Sequence, residues 1–319
     1  MRARVMRAVV IGMMLGGVCG GLRGQDKPVL VPVVDGEFWS ISHAPDLGAL
    51  SSPKEQPVDF AIWQAADGTW QLWSCIRNTL VPGKTRLFYR WQADKLTDVD
   101  WKPMGIAMMA DPGFGETEGG LQAPYVFKEG TDYIMLYGEW DHIAMAKSKD
   151  GKTFARQLGP YGRSGMFGEG PGTNTRDPMV RKIGDMYYVY YSAYPDNKGY
   201  VFARTSKDMV HWSAAVKVAY GGSGGDGRFS AECPWVYFDK ATEYYYLLRN
   251  QFYGAKSQFK VYRSKDPLDF GKADDKYLVE TLTVGAAPEI VQDGEQLYLA
   301  VVKPGFDGIQ LAKLKFAAQ

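Results

Sequence analysis

Three acidic side chains open apolar runs that start alike: Asp59 in Pro57-Val58-Asp59-Phe60, Asp177 in Arg176-Asp177-Pro178 and Glu232 in Glu232-Cys233-Pro234. Cleaving a glycosidic bond takes two carboxyl groups across the bond. One is protonated and helps the leaving group depart; the other is ionised and attacks or activates water. A third acid nearby raises its neighbour's pKa by like-charge repulsion, which keeps a proton donor protonated near neutral pH. Each acid also has a structural reading. Asp-Pro is a common turn opener, and Asp59 could cap a turn before its strand. Glu232 is harder to dismiss, because an unpaired Glu against a buried strand is costly. Three acids in phase with one repeat are far less expected by chance than any one of them.

The phase comes from five copies of one unit. They open with QPVDFAIW (56–63), LQAPYVFK (121–128), TRDPMVRK (175–182), AECPWVYF (231–238) and AAPEIVQD (286–293). Pro124, Pro178, Pro234 and Pro288 recur about every 55 residues, with Phe60 in the first copy. A second apolar, aromatic run follows a turn in each copy, as in Tyr133 to Tyr137 and Met186 to Tyr191. A third ends in Ser-Lys-Asp, a turn and an aromatic: IAMAKSKDGKTF (143–154), YVFARTSKDMVHW (200–212) and FKVYRSKDPLDF (259–270). These runs are too short for helices between their turn signals and read as strands. The pattern predicts an all-β, five-bladed β-propeller, with four-stranded antiparallel blades around a central axis. Asp59, Asp177 and Glu232 would then take equivalent places around one mouth of the channel. Blade five ends after three strand-like runs, so the segment near Val31 to Ser42 is expected to cover its outer edge.

The N-terminus reads as a targeting segment. Arg2, Arg4 and Arg7 precede the apolar run Ala8 to Val18, and small residues follow through Gly24. The run is short for a membrane span, which favours a cleaved signal over residues 1–24 and an exported chain of 25–319. Cys19 invites a lipoprotein reading, against which stands the bulky Val18 before it.

Composition excludes several classes. The chain carries 37 basic and 36 acidic residues, and the signal takes four arginines and no acid. No basic stripe for nucleic acid remains. Cys75 and Cys233 lie in different copies, and no His/Cys spacing suits zinc. A phosphate loop and a Gly-x-Ser-x-Gly elbow are absent from the sequence. No cofactor is expected, apart from a structural or axial calcium ion that such acids could take. The 20 Tyr, 15 Phe and 9 Trp suit both blade packing and stacking against sugar rings.

At these motifs the chain resembles the five-bladed glycoside hydrolases of families 32 and 43. The likeness spans nearly the whole mature chain in architecture and is sharp at the short motifs. It implies Glu232 as general acid, since Ala231-Glu232-Cys233-Pro234 looks like the Glu-Cys motif of family 32. It implies Asp177, in Arg-Asp-Pro, as a pKa modulator that holds sugar hydroxyls. Asp59 takes the place of the first-blade Asp, the nucleophile in family 32 and the general base in family 43. Val58-Asp59-Phe60 departs from the family 32 pattern Asn-Asp-Pro-Asn, and the chain ends with blade five instead of a β-sandwich. A divergent family 43-like hydrolase fits better.

Gln122, Trp140, Asp141, His142, Arg249 and Glu289 are the substrate-binding candidates, with Arg77, Glu118 and Gln251 beside them. His142 also has a structural reading, as a satisfied histidine after the second strand of its copy. The Gly-rich stretches 162–172 and 221–227 read as loops over the mouth. The reading is therefore a monomeric, exported glycosidase acting on a polysaccharide or oligosaccharide, with no nucleic acid and no membrane span. A non-catalytic carbohydrate-binding propeller is the alternative. A protein-interaction propeller of the WD-repeat kind is disfavoured, because its Gly-His and Trp-Asp signatures are missing.

Overall fold

The computed structural model describes residues 28–319; the signal segment read at 1–24 lies outside them. Strands β1 (Leu30–Val34) and β2 (Trp39–Ser40) come first. Blade one is β3 (Gln56–Gln64), β4 (Trp70–Arg77), β5 (Leu87–Ala93) and β6 (Lys102–Met108). Blade two is β7 (Gln122–Glu129), β8 (Asp132–Gly138) and β9 (Ile143–Ser148), with β10 (Ala155–Gln157) and β11 (Gly165–Phe167) both paired to β9. Blade three is β12 (Arg176–Ile183), β13 (Met186–Ala193), β14 (Tyr200–Ser206) and β15 (Val216–Ala219). Blade four is β16 (Glu232–Asp239), β17 (Tyr244–Phe252), β18 (Gln258–Ser264) and β19 (Leu278–Leu282). Blade five is β20 (Ala286–Asp293), β21 (Gln296–Val302) and β22 (Ile309–Ala318).

The N-terminal segment completes blade five. β1 pairs antiparallel with β22 from Leu30↔Ala318 to Val34↔Leu314, and β2 pairs with it at Trp39↔Leu311. The innermost strands β3, β7, β12, β16 and β20 each touch the next, and β20 touches β3, so the five blades form a ring. This is the five-bladed propeller that the repeat predicted.

The aromatic content goes mainly into the seams. Five apolar clusters lie between neighbouring blades, among them Trp63, Trp73, Phe88 and Tyr137 between blades one and two. Five of the tryptophans (63, 70, 73, 91 and 101) are buried in them. The Ser-Lys-Asp turns set these seams. In blade two, Asp150 Oδ1 accepts from the backbone N–H groups of Lys152 and Thr153, each at 2.8 Å, and Ser148 Oγ accepts from Gly151 N–H at 2.8 Å. The turn thereby delivers Phe154 edge-on to Trp63 and Trp73, with ring centroids 5.9 and 5.3 Å apart. Such contacts each add about 0.5–1.5 kcal/mol beyond area burial. Asp208 and Asp266 cap the equivalent turns, which carry Trp212 and Phe270.

Candidate active site

Every innermost strand carries a β-bulge at the same height. The inner strand gains one residue on its partner between Val58 and Phe60, Gln122 and Tyr125, Arg176 and Met179, Glu232 and Trp235, and Ala286 and Glu289. In blades two to five the residue before the proline is left-handed: Ala123 (φ 43°), Asp177 (57°), Cys233 (46°) and Ala287 (49°). A following proline disfavours the right-handed helical region, and a non-Gly residue in this conformation costs roughly 1–3 kcal/mol. In blades two to four the bulge aims two consecutive side chains toward one end of the axis, and in blades one and five it aims one, Asp59 and Ala287.

The bulge also corrects the repeat phase. Asp59, Asp177 and Cys233 occupy the equivalent position, whereas Glu232 stands one residue earlier, in register with Gln122 and Arg176. The side chains therefore form two tiers. Gln122, Arg176 and Glu232 line an open mouth of ≈ 320 Å³, joined by Asp59, Arg77, Arg86, Asn174, Gln251 and Tyr253. Asp59, Ala123, Asp177, Cys233 and Ala287 line an axial pit of ≈ 30 Å³ beneath it. Asp59 belongs to both.

Glu232 is 13% exposed. Arg176 donates Nη2 to its Oε1 at 2.6 Å and Nε to the same oxygen at 3.2 Å. Among the described residues, none donates a hydrogen bond to Oε2. Burial pushes the Glu232 carboxyl up to about 7, and Asp177 and Asp59 add to the rise against the pull of Arg176. Arg176 is itself buried, donates Nη1 to Asn174 O at 2.8 Å, and lies 5.5 and 5.8 Å from the ring centroids of Tyr194 and Phe229. Asp177 accepts from Cys233 N–H at 3.0 Å and lies 3.6 Å from Arg176 Nε. Burial raises its pKa, with Arg176 opposing and Asp59 reinforcing.

Asp59 is fixed through one oxygen. Its Oδ1 accepts from the Tyr253 hydroxyl and from Cys233 Sγ, the latter at 3.4 Å. Burial and the surrounding acids push the Tyr253 phenol and the Cys233 thiol well above their ordinary values, so both remain protonated donors. The sequence singled out neither as a functional residue. Cys233 was legible from its place in phase with Asp59 and Asp177. Tyr253 follows β17 and carries no motif.

The other candidates divide. Gln122 borders the mouth, buried, with its Oε1 lacking a hydrogen-bond partner, and Asn174 Oδ1 is similarly placed. Gln251 and Arg77 border it too, and Glu289 lines the axial pit. Trp140, Asp141, His142, Arg249 and Glu118 are not among the lining residues of either. Asp141 Oδ1 accepts from Gly172 N–H at 3.2 Å, and His142 Nδ1 meets Glu139 Oε1 at 2.7 Å. This corner braces the 162–172 loop. Trp140 takes Lys84 and Arg86 over its ring, and the Glu118 carbonyl accepts from Lys84 N–H at 2.9 Å. Arg249 is fully buried and donates to the carbonyls of Ser230, Gly225 and Gly221 at 2.9, 3.0 and 3.2 Å. A Cβ on Gly224 would stand 2.4 Å from its Nη2, so the glycine makes room for the guanidinium. Arg249 braces the loop that carries Phe229 to the mouth.

Asp59, Asp177 and Cys233 present ligand atoms within 4.8 Å of one another. Calcium takes six to eight oxygens, and this cluster offers two carboxylates and a protonated thiol, which suits it poorly.

No protein-family model matches the sequence, and no curated protein does. Solved structures do match. A thermostable family 43 glycoside hydrolase superposes with a TM-score of 0.60 at 16% identity, over 84% of this chain and 94% of that one. An endo-arabinase from Bacteroides thetaiotaomicron gives 0.60 at 13% identity, over 83% and 94%. A family 32 β-fructofuranosidase from Bombyx mori gives 0.57 at 17% identity, over 83% of this chain and 62% of the enzyme. The fold is that of the five-bladed glycoside hydrolases. Within that propeller, the paired tiers at one end of the axis are where this chain gathers its carboxylates.

Proposed function

We propose that the protein is a glycoside hydrolase acting on a polysaccharide or oligosaccharide. One observation carries the reading: two carboxyl groups, held in different ways, border a single mouth. Glu232 has a pKa near 7 and one oxygen without a protein partner, which suits a general acid. Asp59 is held through Oδ1 by two protonated donors, which orients its other oxygen as nucleophile or as base toward water. Asp177, one tier lower, raises the Glu232 pKa by its charge and fixes the Cys233 backbone. The unpartnered amide oxygens of Gln122 and Asn174 suit sugar hydroxyls, which donate hydrogen bonds. We further infer export from the arginine-led apolar segment at the N-terminus, and a monomer without a cofactor.

A panel of aryl glycosides and polysaccharides, with product analysis by chromatography and NMR, tests this. Hydrolysis that Glu232→Gln and Asp59→Asn each suppress is the expected result. Sugar binding without turnover by the wild-type protein would assign the site to a carbohydrate-binding propeller instead.

A further inference from the structure

The blade-one wall of the mouth carries positive charge that the protein leaves unneutralised. Arg77 closes β4 and Arg86 stands just before β5, and both line the cavity. Among the described residues, neither has a carboxylate within 4.0 Å, whereas Arg156, Arg176 and Arg204 each pair with one at 2.6–2.8 Å. Arg77 donates only Nε, to Gln56 Oε1 at 2.9 Å. Its guanidinium lies 4.9 Å from the Phe306 ring centroid and 5.9 Å from that of Tyr253, two rings stacked at 12°. That platform holds the fork while its Nη groups stay without a protein acceptor. Arg86 is placed similarly: its guanidinium lies 5.4 Å from the Trp140 ring centroid, and among the described residues its one side-chain acceptor is Cys75 Sγ at 3.9 Å. Lys84 sits 4.4 Å from the same ring, also without an acid. Its loop is fixed by backbone bonds from Lys84 and Arg86 N–H to the Glu118 and Gly119 carbonyls, each at 2.9 Å.

A neutral sugar offers hydroxyls, which the unpartnered amide oxygens of Gln122 and Asn174 already suit. Two half-buried guanidinium forks on aromatic platforms suit a planar or tetrahedral anion, which each can bind through two N–H groups. Resting on the hydrolase reading above, we propose that the substrate is an anionic saccharide, whose uronate carboxylate or sulfate ester is bound by Arg77 and Arg86. Asp59 and Glu232 border the same mouth without ion-pairing to either fork: among the described residues neither lies within 4.0 Å of Arg77 or Arg86, and Glu232 pairs with Arg176.

The experiment compares matched pairs. 4-Nitrophenyl glucosides and galactosides are set against the corresponding glucuronides and galacturonides, and galactan oligosaccharides are used with and without sulfate esters. kcat/KM is measured for wild type, and affinity by calorimetry for Glu232→Gln. The expected result is a charged-over-neutral preference that falls roughly 10- to 100-fold in Arg77→Gln/Arg86→Gln, the worth of charge-assisted hydrogen bonds. The preference should be partly kept in Arg77→Lys/Arg86→Lys and should weaken with salt. A ratio within one variant is insensitive to how much of that protein is folded. Preference within the uronate arm or within the sulfate arm identifies the anion. Equal turnover of charged and neutral sugars, with a ratio unchanged by the double substitution, overturns the anion proposal and leaves the hydrolase intact. Binding of charged sugars without turnover, lost in the double Gln variant, upholds the anion site and removes the hydrolase reading. Failure to bind any of these sugars overturns both.

Discussion

Arg176 and Glu232 meet through a single oxygen. Both guanidinium contacts, at 2.6 and 3.2 Å, fall on Oε1, so the ion pair orients the acid without covering Oε2. Glu232 keeps its proton up to about pH 7 because burial and two neighbouring acids outweigh one arginine. On this geometry kcat/KM should fall as pH rises through about 7, when Glu232 gives up its proton. A pH–rate profile on the best substrate checks it. A rate still rising above pH 8 would remove Glu232 as the acid.

Glu232→Gln keeps the shape and loses the proton. Turnover of a substrate with a poor leaving group should drop by roughly 10²–10⁴-fold, with a smaller loss on an activated aryl glycoside. Steady-state kinetics on both substrates separate the outcomes. Equal losses would point to a binding role.

The same shift bears on stability. The Glu232 pKa is raised on folding from 4.5 to about 7, so its contribution is complete below about 4.5 and is lost as pH rises through about 7. Asp177 is shifted in the same direction. Urea midpoints should therefore fall between pH 5 and pH 8 more in wild type than in Glu232→Gln. Parallel curves for the two proteins would contradict it.

Tyr253→Phe removes the hydroxyl donor on Asp59 while keeping the stack on Phe306. A hydrogen bond to a charged group is worth about 1.5–3 kcal/mol, so kcat should fall roughly 10- to 100-fold with KM little changed. Because its pKa is pushed up, the Cys233 thiol should also resist iodoacetamide in the folded protein at pH 8, as read by mass spectrometry. Rapid alkylation there would show the thiol is not held as a donor.

Arg249→Met strips the carbonyls of Gly221, Gly225 and Ser230 of their shared donor. A loss on the order of 2–4 kcal/mol is expected. Faster amide exchange should be confined mainly to 221–230. Denaturant titration and exchange mass spectrometry measure both, and an unchanged midpoint would refute the bracing role.

Removal of residues 28–40 takes away β1 and β2 and bares the edge of β22. An unpaired edge strand templates association, so the shortened protein should melt earlier and aggregate on heating. Light scattering during a thermal ramp shows whether it does.

Local chemistry was legible wherever it repeats. Pro124, Pro178, Pro234 and Pro288 set the blade count, the Ser-Lys-Asp turns set the outer hairpins, and blade five's missing strand pointed to the segment around Val31. The mouth was legible only in outline. Counting from the prolines places Cys233 beside Asp59 and Asp177, yet the acid character of Glu232 suggested it as their equivalent. Asp141, His142 and Arg249 have the polarity of binding residues and are spent on holding loops, while Trp140 lies beneath Lys84 and Arg86.

By itself the sequence determined the repeat, the all-β class and the three acids, because period and turn residues act over a few neighbours. Tertiary structure alone decided which side chains share a cavity. A bulge of one residue lifts Glu232 above Asp177, and ring closure brings Tyr253 of blade four onto Asp59 of blade one. Neither is a property of spacing along the chain. Each follows from how five twisted sheets meet at a common axis.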